Sequence, residues 1–286
     1  MYSKHITELI YGIWSIDKEI AEYYLSAFLA DRDHFFSRDT SEVRAENRPV
    51  LFSYDDSGIL VENEFNPSEP INQKSVAVIK INGVMSRYDK TCGPEGTESH
   101  LKRISRFATD PNVSAIVLSF NSPGGESTAA NHMVEQISLM GINKPILAYV
   151  EDMCASAAYW VASACNSIGA SGKLSVIGSI GTYTVVRDFS KAFEEAGVKI
   201  HEIYATKSTE KNIELREALK GNYEKIQSDV DFYNEHFINS VIQNRPVLSG
   251  RDEWKTGKKF YAEAALKNNL IDYIAPFNVF IESILQ

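Results

Sequence analysis

Residues 145–172 read PILAYVEDMCASAAYWVASACNSIGASG. The stretch opens with an apolar run, 145–150, whose length and branched residues suit a buried strand. A short polar elbow follows at 151–155, and then a small-residue helix that Ser156 opens. One hydroxyl is thereby placed at a strand-to-helix corner. The unpaired N–H groups of a helix N-terminus and the positive end of its dipole stabilise an alkoxide or oxyanion formed there. Taken alone, Ser156 also reads as a plain helix cap, since serine is a favoured N-cap residue.

Working outward, apolar strands alternate with helices from residue 75 onward. That is the pattern of an α/β fold built on a mainly parallel sheet with crossover helices. Strands are expected at 76–81, 115–120, 146–150, 167–170 and 200–204, and helices at 98–108, 127–140, 156–164 and 189–196. A long polar helix is expected over 214–244, with Tyr223, Ile226, Val230, Phe237, Ile238 and Val241 as a broken stripe. Residues 1–72 read as an arm ahead of a domain at 73–286. In the arm, Ile16, Ile20, Tyr24, Leu25 and Phe28 recur at helical spacing and predict an amphipathic helix over 17–36. Asp55-Asp56-Ser57-Gly58 is the turn of a short hairpin at 50–62, and Pro67 and Pro70 mark the stretch that closes the arm. The arm either mediates assembly or packs on its own core.

Composition narrows the function. The chain has 286 residues, 44% hydrophobic and 23% charged, enough for one large domain with an appendage. Lys plus Arg total 29 against 38 Asp plus Glu, so a net charge of −9 argues against a nucleic-acid or membrane-surface binder. Three cysteines, Cys92, Cys154 and Cys165, lack metal-ligand spacing, so neither a zinc site nor a disulfide framework is expected, nor any other cofactor. Cys154 reads as buried small-residue packing rather than as a nucleophile. With no signal-peptide pattern and no apolar run of about 18 residues, the expected location is the cytoplasm.

Chemistry gathers at strand ends. After the strand ending at Phe120 comes Asn121-Ser122-Pro123-Gly124-Gly125, followed by a helix. Paired glycines permit backbone geometry in which N–H groups face a substrate carbonyl. The segment by itself is also a plain strand-to-helix turn. Parallel-sheet geometry, however, brings it and the Ser156 corner to the same carboxyl edge.

NSPGG, then DMCASAAYW, then SVIGSIGTYTVV, in this order, resemble the serine–lysine peptidases related to signal peptide peptidase A, and most of all their bacteriophage branch of protein C or capsid-maturation peptidases. The resemblance covers about residues 72–275, and the opening IYGIWSIDKEIAEYY is phage-branch-like as well. It implies the Clp-protease/crotonase-like superfold of repeated βαβ units. It also implies that Ser156 is the nucleophile and that Gly124 and Gly125 form the oxyanion hole, with Gly125 the better candidate.

A serine hydroxyl needs a base, and none of His5, His34, His100, His132, His201 or His236 stands where a Clp-type histidine would. The resemblance therefore implies a lysine, carried by the loop Tyr204-Ala-Thr-Lys207-Ser-Thr-Glu-Lys211-Asn212. Aligning on the loop end picks Lys211, with Lys207 as the alternative. The loop departs from the family in lacking a glycine and in having Asn212 where Asp is frequent, and downstream Asn269 replaces a usual glycine. Ser179 or Thr182 would orient the lysine. A homo-oligomer, peptide substrates and a phage scaffold or capsid precursor as the natural target are further implications. Two other readings stay open: a crotonase-like acyl-CoA hydratase or isomerase with Glu126 as its acid/base, and a non-catalytic phage assembly protein on the same fold.

Overall fold

The computed structural model describes residues 14–16, 48–89 and 94–286. The helix expected over 17–36 and Cys92 lie outside the described residues. The first strands are β1 (Trp14–Ile16), β2 (Val50–Tyr54), β3 (Leu60–Glu64) and β4 (Ser75–Asn82). Then come α1 (Thr97–Thr109), β5 (Val113–Ser122), β6 (Gly124–Glu126), α2 (Ser127–Met140), β7 (Ile146–Ala155), α3 (Ala157–Ser163), β8 (Ile168–Ala170) and β9 (Val176–Gly178). The remainder is α4 (Ser190–Glu195), α5 (Ile213–Ala218), α6 (Glu224–Asn244), β10 (Lys259–Tyr261), α7 (Ala262–Lys267), β11 (Tyr273–Ile274) and α8 (Phe277–Leu285).

The fold is α/β. Strands β4, β5 and β7 run parallel at the centre of a sheet ordered β10-β9-β7-β5-β4-β2-β3, and helices connect them as repeated βαβ units. Their apolar runs are long because both sheet faces are covered. Ala77, Ile79, Ile116, Leu118, Ala148 and Val150 point to one face and join Ile104 and Phe107 of α1 and Met133 and Ile137 of α2. Val76, Val78, Val117 and Tyr149 point to the other, where Phe280 and Ile281 of α8 cover them. Burial of this kind stabilises by roughly 25 cal/mol per Å² of apolar surface.

The hairpin around Asp55–Gly58 is present, and β2 pairs antiparallel with β4, so residues 50–64 extend the main sheet. Three expectations need correction. Residues 151–155 are not an elbow but the second half of β7, because β7 forks. Ala148–Val150 pair with β8, and Met153–Ala155 pair with β9, a three-residue strand hidden in sequence by its glycine and the serines on either side. Residues 200–204 form no strand; Ile203 is 94% exposed, and branched residues make a strand only beside a partner. The helix expected over 214–244 is two helices. Gly221 takes φ 87° between them, and the Asn222 side-chain oxygen accepts the Glu224 N–H at 3.2 Å to start α6 afresh.

Among the described residues no helix is long and apolar enough to cross a membrane.

Candidate active site

The corner between β7 and α3 is built from strain and small side chains. Ser156 holds φ 56° and ψ −120°, a conformation that residues with a Cβ adopt only when their surroundings impose it. Its N–H donates to the Gly178 carbonyl at 2.7 Å, and its carbonyl accepts the Trp160 N–H at 2.9 Å. Ala155, Ala157 and Ala158 are fully buried around it, which lets the turn close tightly. The helix-cap reading of Ser156 fails: its backbone is not that of a cap, and its side chain makes no cap hydrogen bond. Instead the hydroxyl reaches the Gly181 carbonyl at 3.4 Å, in a residue only 1% exposed.

The glycine-serine stretch wraps this corner. Gly178 has φ 104°, and a Cβ there would lie 2.9 Å from the Lys258 carbonyl, so a side chain is excluded. Ser179 follows at φ 52°, donating its N–H to Lys258 at 2.8 Å, while Gly257 donates to the Ile180 carbonyl at 2.9 Å. Strands β9 and β10 thus hold 178–181 against the serine. Thr182 is turned elsewhere; its hydroxyl donates to the Val230 carbonyl of α6 at 3.1 Å.

The glycine strand comes alongside through sheet register. Ser122 of β5 stands opposite Cys154 of β7, two residues before Gly124 and Ser156 respectively. The Ser122 hydroxyl donates to the Gly83 carbonyl at 2.7 Å and lies 3.2 Å from the Gly124 N–H, which is therefore occupied. Met85 then fixes β6: its N–H donates to Gly124 at 2.8 Å, and its carbonyl accepts the Glu126 N–H at 3.0 Å. A Cβ on Gly125 would sit 1.9 Å from the Met85 carbonyl oxygen, so residue 125 must be glycine.

Neither candidate lysine is buried beside this hydroxyl. Lys207 and Lys211 are exposed on the loop before α5, where Asn212 takes the left-handed conformation, φ 54°, that asparagine tolerates best after glycine. His132 lies on α2 with Nε2 3.4 Å from Glu98 Oε1, and Glu126 has its carboxylate on the Arg87 backbone N–H at 3.1 Å. Burial pushes the Cys154 thiol well above its usual range, which keeps it protonated and unreactive. Of the residues that shape the corner, Met85 left no sequence signal. Gly178 and Gly181 did, as glycines spaced through the branched run SVIGSIG.

The protein is similar to Protease 4 of Salmonella typhi, 26% identical over 280 residues that cover 94% of this chain and 44% of that one. It is similar to capsid assembly protease C of Escherichia phage lambda, 28% identical over 134 residues, covering 46% of this chain and 30% of that protein. The chain thus spans less than half the length of either relative. A solved enoyl-CoA hydratase/isomerase family member superposes with a TM-score of 0.42 at 16% identity, over 75% of this chain and 71% of that one. The family model for peptidase family S49 matches residues 139–284, just over half of the chain. That match runs from the end of α2 through the strained β7–α3 corner and its glycine-serine wrap to α8, and the chain accordingly belongs to peptidase family S49.

Proposed function

We propose that the protein is a serine endopeptidase in which Ser156 attacks a peptide carbonyl and a lysine, Lys211 with Lys207 as the alternative, serves as base. The observation that carries this reading is the Ser156 backbone. A buried serine held at φ 56°, ψ −120° without a capping bond has its conformation imposed for something other than helix initiation. In the reaction the neutral lysine accepts the Oγ proton as the Oγ–carbon bond forms. The Gly125 N–H donates to the oxyanion, while the Gly124 N–H, the other expected donor, is held by the Ser122 hydroxyl. The lysinium then gives its proton to the departing amine, and water, deprotonated by the same lysine, releases the acyl group.

A lysine acts as a base only in its neutral form, and desolvation is what frees its lone pair. The loop bearing Lys211 therefore has to be enclosed. The stretch of chain ahead of that loop, where Phe189, Phe193, Ile200 and Ile203 are exposed, supports a homo-oligomer in which a second copy supplies the enclosure. Ser179, beside the serine, is the better placed of the two lysine-orienting candidates, since the Thr182 hydroxyl is engaged by α6. The likeness to a phage capsid assembly protease supports a scaffold or capsid precursor as substrate, cut in the cytoplasm or on the procapsid.

The exposed lysines favour one competing reading, a non-catalytic assembly protein. Labelling with a fluorophosphonate probe separates the two. Wild type is expected to label and to digest casein, while Ser156→Ala and Lys211→Ala do neither. Labelling that survives Ser156→Ala removes the nucleophile assignment, and a Lys211→Ala variant that still digests moves the base to Lys207.

A further inference from the structure

Strand β6 has two edges, and they are used differently. Along one, Met85 exchanges hydrogen bonds with the Gly124 carbonyl and the Glu126 N–H at 2.8 and 3.0 Å. Successive residues of a strand direct their backbone groups to opposite edges, so the N–H and C=O of Gly125 face the other edge. Along that edge runs β1, antiparallel, with Trp14 opposite Glu126, Ser15 opposite Gly125 and Ile16 opposite Gly124. The N–H proposed above to hold the oxyanion is therefore turned toward the chain's own backbone at Ser15.

Strand β6 has no freedom to retreat. The register of β5 on β7 just ahead of it and its clamp on Met85 hold it, and Gly125 lies too close to the Met85 carbonyl for any movement toward it. The β1–β6 pair, by contrast, forms a two-stranded sheet separate from the large one, three residues long on each side. A ladder that short is only marginally stable in water. An extended peptide adding to an exposed strand edge uses main-chain hydrogen bonds of this same kind.

We infer that the edge of β6 carrying the Gly125 N–H is a docking edge for one extended peptide strand, and that the chain's own residues 14–16 occupy it in competition with the peptide to be cut. This rests on the peptidase reading. Recognition there is by backbone, so the competitor works whatever its side chains, and displacing it frees the oxyanion donor and the docking edge together.

The test uses the full chain carrying Ser156→Ala, which cannot turn over. Ser15→Pro removes the N–H that β1 presents opposite Gly125, whereas Ser15→Ala leaves the backbone donor in place. Binding of a fluorescein-labelled, unstructured casein peptide is read by anisotropy, and the Gly125 amide by hydrogen exchange. Ser15→Pro is expected to tighten peptide binding about tenfold and to speed Gly125 exchange in the absence of peptide, with Ser15→Ala unchanged in both and the melting temperature unaltered. Unchanged Gly125 protection in the proline variant overturns the occupancy, and unchanged or weakened peptide binding overturns the competition. Neither readout involves hydrolysis. Failure of the peptidase reading shows separately, as a wild type that neither labels nor digests.

Discussion

Ser156 shows how much a single backbone angle carries. The helix N-terminus would accept serine, alanine or glycine in the sense of secondary structure, yet φ 56° with ψ −120° is comfortable for glycine alone. Strain of this kind costs on the order of 1–3 kcal/mol, held in place here by the Gly178 and Trp160 hydrogen bonds. Removing the Ser156 hydroxyl by two routes therefore has two different effects on stability. Ser156→Ala keeps the Cβ and the strain, whereas Ser156→Gly relieves it and is expected to be the more stable by about 1 kcal/mol, a rise in melting temperature of roughly 2–4 °C. Both variants are expected to be silent to a fluorophosphonate probe. A glycine variant that melts below the alanine variant removes the claim that strain is stored at this corner.

At the scale of elements, α1 supplies a pH dependence. His100 sits on its buried face beside Leu101 and Ile104, 4% exposed, with Nδ1 lacking a partner. Burial lowers its pKa to about 4, with Arg103 acting in the same direction and Glu95 and Asp89 opposing. A histidine that protonates less readily when folded leaves the unfolded chain binding more protons between the ordinary value, near 6.5, and 4. Stability is fully present above that window and falls as pH drops through it, by about 2 kcal/mol at pH 5. Urea titrations at pH 7 and pH 5 are expected to show the loss in wild type and not in His100→Gln; equal losses in both assign the acid sensitivity elsewhere. The same scale separates what was readable in the sequence from what was not. Helix α2 begins and ends where expected, at Ser127 and Met140, because its apolar residues recur at helical spacing. The second half of β7 was hidden because Glu151 and Asp152 look like a turn, and only the pairing of Met153–Ala155 with β9 carries the strand past them. Residues 200–204 carried strand-like residues without a neighbouring strand, which propensity cannot register. Asn269 stood out as a departure from glycine, and its φ of 59° explains the glycine: the chain turns left-handed there, and asparagine is the tolerable substitute.

At the scale of the whole molecule, the proposed nucleophile and its proposed base have opposite environments within one copy, Ser156 buried and Lys211 exposed. Sequence order places both residues on the chain but says nothing of which copy's lysine meets which serine. Subunit mixing decides it, because a closed symmetric assembly repeats the same contact at every boundary. If each site takes its serine from one copy and its lysine from the next, Ser156→Ala and Lys211→Ala are each inactive alone. Assembled together at equal amounts, they rebuild a working pair wherever an intact serine faces an intact lysine. With random mixing that happens at about one boundary in four, so co-expressed variants are expected to recover roughly a quarter of wild-type peptidase activity. Activity should also fall on dilution as the assembly dissociates, since each site is lost with its neighbour. A mixed assembly that stays inactive, formed by variants that individually match the wild-type mass in solution, places serine and lysine in the same copy. The Lys211 loop would then have to fold down onto its own Ser156, burying the apolar residues around Ile203 within a single chain.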